Sequence, residues 1–207
     1  MKKSIAIIDY GVGNIQSVKE AIGSLGYNLF VSNDTNKLAK ADGLILPGVG
    51  AFGAAMESLH ERRLIVPLNE LVLEQKKPIL GICLGMQLLA DFSEENGYHN
   101  GLGWISGGVI RIEGGQNLRV PHVGWNDVDI RQKEPLFDRM QGTSNFYFDH
   151  SYHFDAKNEE DVAARVNYGL GLVAAVKRGN IHGVQFHPEK SQITGLRLLK
   201  GFLNSIG

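Results

Sequence analysis

Cysteine is nearly absent from this chain of 207 residues: Cys83 is the only one, so no disulfide can form within the chain. A reducing compartment such as the cytoplasm is the expectation that follows. Long apolar runs are missing too, and none approaches the roughly 20 residues that a membrane-spanning helix needs. The opening Met1-Lys2-Lys3, followed by Ser4-Ile5-Ala6-Ile7-Ile8, mimics a secretion leader, but Asp9 cuts the apolar stretch short. Neither charge is in excess. Lys and Arg number 21 against 22 Asp and Glu, a net charge of −1, which gives no pull toward nucleic acid or a membrane surface. No repeat, low-complexity segment or Pro/Ser-rich linker interrupts the chain, so residues 1–207 read as one domain with ample length for a large core.

What the chain does have is glycine, 26 residues set in short loops, and a regular alternation of strand and helix signals in its first half. Ile5-Ala6-Ile7-Ile8 is a continuous apolar run, as expected of a strand covered on both faces. Ile15, Val18, Ile22 and Leu25 share one helical face, which Gly26 ends. Leu29-Phe30-Val31 and Gly43-Leu44-Ile45-Leu46 predict two more strands. Helices are predicted over 52–62 and 64–75, then a strand over 79–82. This rhythm predicts an α/β fold with a mostly parallel sheet and helices on both faces. From about 103 to 152 the signals change to short alternating segments, read as antiparallel strands added to the main sheet. A hairpin over 162–166 and 172–176, a last strand over 181–186, and a closing helix with Ile193, Leu196, Leu199 and Leu203 inward complete the chain.

Cys83 stands in Gly81-Ile82-Cys83-Leu84-Gly85-Met86-Gln87, between a strand signal and an apolar stretch read as an amphipathic helix. That is the pattern of a nucleophile elbow with cysteine in place of serine. A free cysteine is more often a buried core residue, so the pattern needs a base to become a site. His187-Pro188-Glu189 supplies one. The last strand is expected to end at His187, and Pro188 then turns Glu189 back toward the imidazole, fixing its tautomer. Both Cys83 and His187 fall at carboxyl ends of strands, the edge where α/β sites form. Leu46-Pro47-Gly48-Val49-Gly50 follows the third strand and turns peptide N–H groups toward an anion. The amides of Leu84 and of Val49 or Gly50 are the candidate oxyanion donors. Two further motifs carry nothing. Gly11-Val12-Gly13 begins like a dinucleotide fingerprint, but Gln16 stands where its third glycine belongs. The histidines at 150, 153, 182 and 187 lack an H-E-x-x-H spacing. No cofactor and no metal are expected.

With these residues in view, the chain resembles the class I (triad) glutamine amidotransferases along its whole length. Within them it resembles most the glutaminase subunits of imidazole glycerol phosphate synthase. Asp9-Tyr10-Gly11-Val12-Gly13-Asn14, Pro47 to Gly50, Pro121-His122-Val123-Gly124-Trp125-Asn126 and His187 to Ser191 carry that narrower likeness. The resemblance implies a flavodoxin-like fold and a two-place reaction. Cys83 attacks the glutamine side-chain amide, His187 moves the proton and Glu189 orients His187. The ammonia passes to a (β/α)8-barrel cyclase subunit in a heterodimer. It implies Gly50, Gln87, Glu95 and His150-Ser151-Tyr152 as glutamine-binding residues, and Asn14, Trp125 and Lys190 as partner-facing ones. It also implies that the Gly48-Val49 peptide switches on partner docking. Asp149 departs from the family pattern, which has an apolar residue there. A partner-independent cysteine hydrolase of related fold, and a binding module without catalysis, are the alternative readings.

Overall fold

In the computed structural model the described residues are 3–114, 118–132, 135–138, 140, 144–169 and 171–206. The start of the leader-like segment, Met1-Lys2, lies outside them. The elements are, in order, β1 (Ser4–Ile8), α1 (Ile15–Ser24), β2 (Asn28–Ser32), α2 (Thr35–Lys40), β3 (Gly43–Gly48), α3 (Phe52–Glu61) and α4 (Ile65–Asn69). A π-helical turn (Glu70–Glu74), β4 (Ile79–Cys83), α5 (Leu84–Gln87), β5 (Phe92–Ser93), β6 (His99–Asn100) and β7 (Gly107–Arg111) follow. The second half holds β8 (His122–Ile130), β9 (Ser144–His150), β10 (Tyr152–Ala156), β11 (Val162–Val166), β12 (Leu172–Arg178), β13 (Ile181–Val184) and α6 (Gln192–Ser205).

The main sheet has nine strands in the order β2-β1-β3-β4-β13-β12-β11-β8-β9. From β2 to β13 neighbours run parallel; from β13 to β9 they run antiparallel. Alternation along β1 divides the core, since successive side chains of a strand point to opposite faces. Ile5 and Ile7 join Val18 and Ile22 of α1 and Leu198, Leu199 and Phe202 of α6 on one face. Ala6 and Ile8 join Phe52, Ala55 and Leu59 of α3 on the other. Truncating a fully buried ring such as Phe202 in such a layer costs about 3–5 kcal/mol. Among the described residues, no helix is long and apolar enough to cross a membrane.

The antiparallel half curls back so that its far edge, β9, meets the segment after β13. Phe146 stacks on Phe186 at 3.9 Å between ring centroids, and His187 N–H donates to the Tyr147 carbonyl at 2.9 Å. The expected fold class is thus present, with four differences in detail. First, β7 is not an addition to the main sheet. It belongs to a second sheet, β10-β7-β5-β6, with β5 and β7 parallel. Second, the helix predicted over 64–75 is continuous but changes winding, α4 passing directly into the π-helical turn. Third, α2 had no counterpart in the sequence reading, because its six residues bury only Leu38. Its start is nonetheless marked by Asp34, whose side chain accepts from Asn36 N–H. Fourth, α6 buries Gly195, Leu198, Leu199, Phe202 and Leu203, while Ile193 is 60% exposed. The inward stripe therefore begins one turn later than predicted.

Candidate active site

Cys83 ends β4 and is the residue before α5, with φ +54° and ψ −111°. A side chain with a Cβ rarely adopts positive φ, so the backbone here is strained, as an elbow requires. Close packing of the turn explains its glycines. A Cβ on Gly85 would lie 1.8 Å from the Leu46 carbonyl oxygen, and one on Gly81 would lie 2.6 Å from that of Gly85. The stretch after the elbow differs from expectation. The helix is four residues long, and residues 84–90 are all buried, so it is a core plug and not an amphipathic helix.

β4 lies between β3 and β13, and this neighbourhood gathers the site. The register sets Gly48 beside Cys83, so the Gly48-Val49-Gly50 turn leaves the sheet next to the thiol. Tyr10 holds the base of that turn, its hydroxyl donating to the Pro47 carbonyl at 2.7 Å. Burial first, and the Cys83 charge second, raise the Tyr10 pKa, so it stays a neutral donor. On the other side, β13 stops at Val184, three residues before His187, and a bend at Gln185-Phe186 carries the chain to the imidazole.

His187 Nδ1 lies 2.8 Å from Glu189 Oε1, and both side chains are almost fully buried. That leaves Nε2 for Cys83, which lines the same cavity as His187. Burial opposes charge on the ring. The bonds to Cys83 and Glu189, and their negative charges, outweigh it and push the His187 pKa up to about 10. The turn is pinned by Ser191, whose hydroxyl donates to the His187 carbonyl at 2.6 Å and accepts from Tyr147 N–H at 3.0 Å.

A cavity of about 320 Å³ opens over the sulfur, near the lower bound of about 300 Å³ for small-molecule sites. Its lining includes Cys83, Leu84, His187, Val49, Gly50, Gln87, Glu95, His150, Ser151 and Tyr152. The structure therefore brings together all the expected oxyanion and glutamine-binding residues. Glu189 sits behind His187 and does not line the cavity. Gln87 is buried, donating to the Tyr152 carbonyl at 2.9 Å and to Gln185 Oε1 at 3.0 Å. Glu95 Oε2 accepts from Phe52 N–H at 2.6 Å, at the N-terminus of α3, where an anion is favoured.

Of the three expected partner-facing residues, Lys190 also lines the cavity, with its ammonium 5.5 Å from the Tyr147 ring centroid. Trp125 is 47% exposed and meets the same ring edge-on at 6.1 Å. Asn14 stands apart, half-buried at the start of α1, the helix that packs against the Pro188–Lys190 turn. The sequence reading assigned no role to Gln185, Ser191, Tyr10, Pro121 or Asp149. Of these, Gln185 had a visible signal, being an amide in an apolar strand run two residues before the histidine. Asp149 lines the cavity as an outward residue of β9, where Phe146, Phe148 and His150 point inward, so an apolar side chain is not required there. Among the described residues, no group of His, Cys, Asp and Glu could hold a metal ion.

A parallel sheet with a thiol elbow, a histidine–carboxylate pair just beyond the end of the next strand and a polar pocket above defines a class of thiol-dependent amide hydrolases. The family model for "Glutamine amidotransferase class-I" matches residues 6–205, and the chain belongs to that family. It is 47% identical over 198 residues to the imidazole glycerol phosphate synthase subunit HisH 1 of Campylobacter jejuni, covering 96% of this chain and 98% of that one. It is 46% identical over 200 residues to the HisH subunit of Moorella thermoacetica, covering 97% and 94%. Among solved structures, PurLQS from Thermotoga maritima has the same fold, with a TM-score of 0.78 at 18% identity and 100% coverage of both chains.

Proposed function

We propose that this chain is the glutaminase subunit of an imidazole glycerol phosphate synthase, releasing ammonia from glutamine in histidine biosynthesis. The observation that carries the reading is the Cys83–His187–Glu189 arrangement at the floor of a cavity walled by Gln87 and Glu95. Residues 1–207 then form one glutaminase domain, working in a reducing compartment such as the cytoplasm.

The chemistry follows from the groups present. His187, whose pKa is raised to about 10, takes the Cys83 proton as the sulfur attacks, and Glu189 balances the imidazolium. The thiolate attacks the side-chain carbonyl carbon of glutamine. A C–S bond forms and the carbonyl electron pair moves onto oxygen, where the amides of Leu84 and Val49 or Gly50 receive it. Collapse of this intermediate expels the amide nitrogen, which takes the proton from His187 and leaves as ammonia. Water then attacks the thioester, giving a proton to His187; the C–S bond breaks, His187 returns that proton to the sulfur, and glutamate and the free thiol result. Gln87, Glu95 and the His150-Ser151-Tyr152 segment hold the α-amino and α-carboxylate groups that mark free glutamine.

Relatives of this chain are named as subunits of the synthase, and it accordingly works with a partner subunit. We take that partner to be a (β/α)8-barrel cyclase. There the ammonia joins a phosphoribulosyl-formimino carboxamide ribonucleotide to give imidazole glycerol phosphate and an aminoimidazole carboxamide ribonucleotide. Trp125, Lys190 and Asn14 face the barrel, and docking turns the Gly48-Val49 peptide toward the oxyanion. The test is glutamate release by the chain alone, with the cyclase, and with the cyclase plus its ribonucleotide ligand. Strong stimulation by the loaded cyclase, abolished in Cys83→Ala, is expected. Full activity of the isolated chain would defeat the coupled mechanism, and no release in the loaded complex would defeat the glutaminase assignment.

A further inference from the structure

A series of hydrogen bonds, each with only one possible donor, links β8 to the sulfur and meets in the middle at the Tyr152 carbonyl. The Asn126 oxygen accepts from Asp127 N–H at 3.0 Å, so its NH2 group faces His122 Nε2, 3.3 Å away. An amide NH2 only donates, so His122 accepts there and carries its proton on Nδ1. That atom lies 3.0 Å from His150 Nε2. His150 in turn carries its proton on Nδ1, which donates to the Tyr152 carbonyl at 2.8 Å. Burial holds the His122 and His150 pKa values down, at about 4 and about 3, so both rings are neutral and each has one proton to place.

The Tyr152 carbonyl accepts a second bond, from Gln87 Nε2, and both its lone pairs are then used. This contact decides the Gln87 amide: its NH2 faces Tyr152 and also donates to Gln185 Oε1 at 3.0 Å. The Gln185 amide is decided in turn, because turning it over would set its NH2 against that of Gln87. Its NH2 therefore points at Cys83 Sγ, 3.7 Å away, from a fully buried position.

We propose that Gln185 is a further catalytic residue, donating to the Cys83 thiolate from an amide held in that orientation by Gln87, whose own amide is fixed by the Tyr152 carbonyl. A hydrogen bond to the charged form of an acid favours that form, so Gln185 adds to what His187 does for the sulfur. The nucleophile and a glutamine-binding residue thereby share one amide. A shift of Gln87 on binding substrate moves the donor of the thiolate with it. The inference rests on the glutaminase reading for its purpose, but the contact itself is testable without it.

Cys83 is the only thiol in the chain, so alkylation by iodoacetamide as a function of pH reads it alone, with neither glutamine nor partner present. Gln185→Leu should move the inflection up by about one pH unit and slow alkylation about tenfold below it, leaving the high-pH rate unchanged. Gln185→Glu keeps the volume and replaces the donor with an anion, so it should move the inflection at least as far. If Gln185→Leu does not fold, Gln185→Glu decides. A folded variant whose profile matches the parent within about 0.2 pH unit, against that one-unit shift, reduces Gln185 to a packing residue and overturns the proposal. Failure of the glutaminase reading shows separately, as no glutamate release from the loaded complex, and leaves the alkylation profile readable.

Discussion

His122 Nδ1 lies 3.0 Å from His150 Nε2, and the two buried rings divide two protons between four nitrogens in only one way. Tyr168 stacks on His122 at 3.8 Å and Phe148 at 4.6 Å, so aromatic rings and not a countercharge pack on the faces of that imidazole.

Acid should therefore unfold this protein earlier than its near-neutral charge suggests. Burial lowers His122, His150 and His182 to about 4, 3 and 4 from an ordinary value of 6.5. The unfolded chain takes up protons below pH 6.5 that the folded chain refuses, so stability is full above 6.5 and falls toward pH 4. Each such histidine costs at most about 1.4 kcal/mol per pH unit in that window. Urea midpoints measured from pH 7.5 to 4.5 should fall steeply. His182→Gln, which removes one of the three away from the cavity, should flatten the fall. A flat profile in the parent would show that these rings are charged when folded.

Glu189→Gln should cost turnover far more than it costs glutamine affinity. The carboxylate balances a ring whose pKa is raised to about 10, and an amide cannot. Steady-state kinetics of the complex should show kcat falling by about 10²–10⁴ with KM nearly unchanged. The sign for stability is opposite to that of the neutral histidines. Because His187 is raised above 6.5, its stabilising contribution is full below 6.5 and fades as pH climbs toward 10. In Glu189→Gln that alkaline decline should be smaller and should end at lower pH.

Gly85→Ala should leave little folded protein, because its Cβ would lie 1.8 Å from backbone that belongs to β3. A loss of about 3 kcal/mol or more is expected, read as a drop in Tm. Gly50→Ala makes the contrast. Nothing lies within 4 Å of a Cβ there, yet φ is +99°. Its Tm should fall modestly, by about 1–2 kcal/mol in stability, while glutamine turnover falls through the displaced oxyanion turn.

Glu95→Ala should act on two properties at once. Losing the acceptor for Phe52 N–H at the start of α3 costs about 1 kcal/mol, visible by denaturation. Losing a carboxylate from the cavity should also raise the KM for glutamine. Glu95→Gln keeps an acceptor for the helix and should recover most of the stability but not the KM. Recovery of both would mean that Glu95 serves only the helix.

Much of this site was legible in the sequence because its parts are local. The elbow lies within seven residues, His187 and Glu189 are two apart, and Pro47 to Gly50 is one turn. The parallel strands were equally legible, since β1, β3 and β4 are buried on both faces and read as unbroken apolar runs. What escaped is what depends on distant pairing. Gln185 meets Cys83 across 102 residues, and no spacing announces it. The second sheet escaped because β5 and β6 are two residues each. Alternation in Gly107–Arg111 shows that a strand exists there but not which sheet receives it.

The curl of the main sheet sets an order of assembly. The elbow and oxyanion turn are complete within the first 85 residues, in a parallel core that needs only β13 from the far end of the chain. The histidine is not fixed until β9 arrives, because Tyr147 bonds both the His187 amide and Ser191. A chain emerging from the ribosome thus exposes its one thiol long before the base that arms it. The seam that closes the fold is also the one that makes the sulfur reactive.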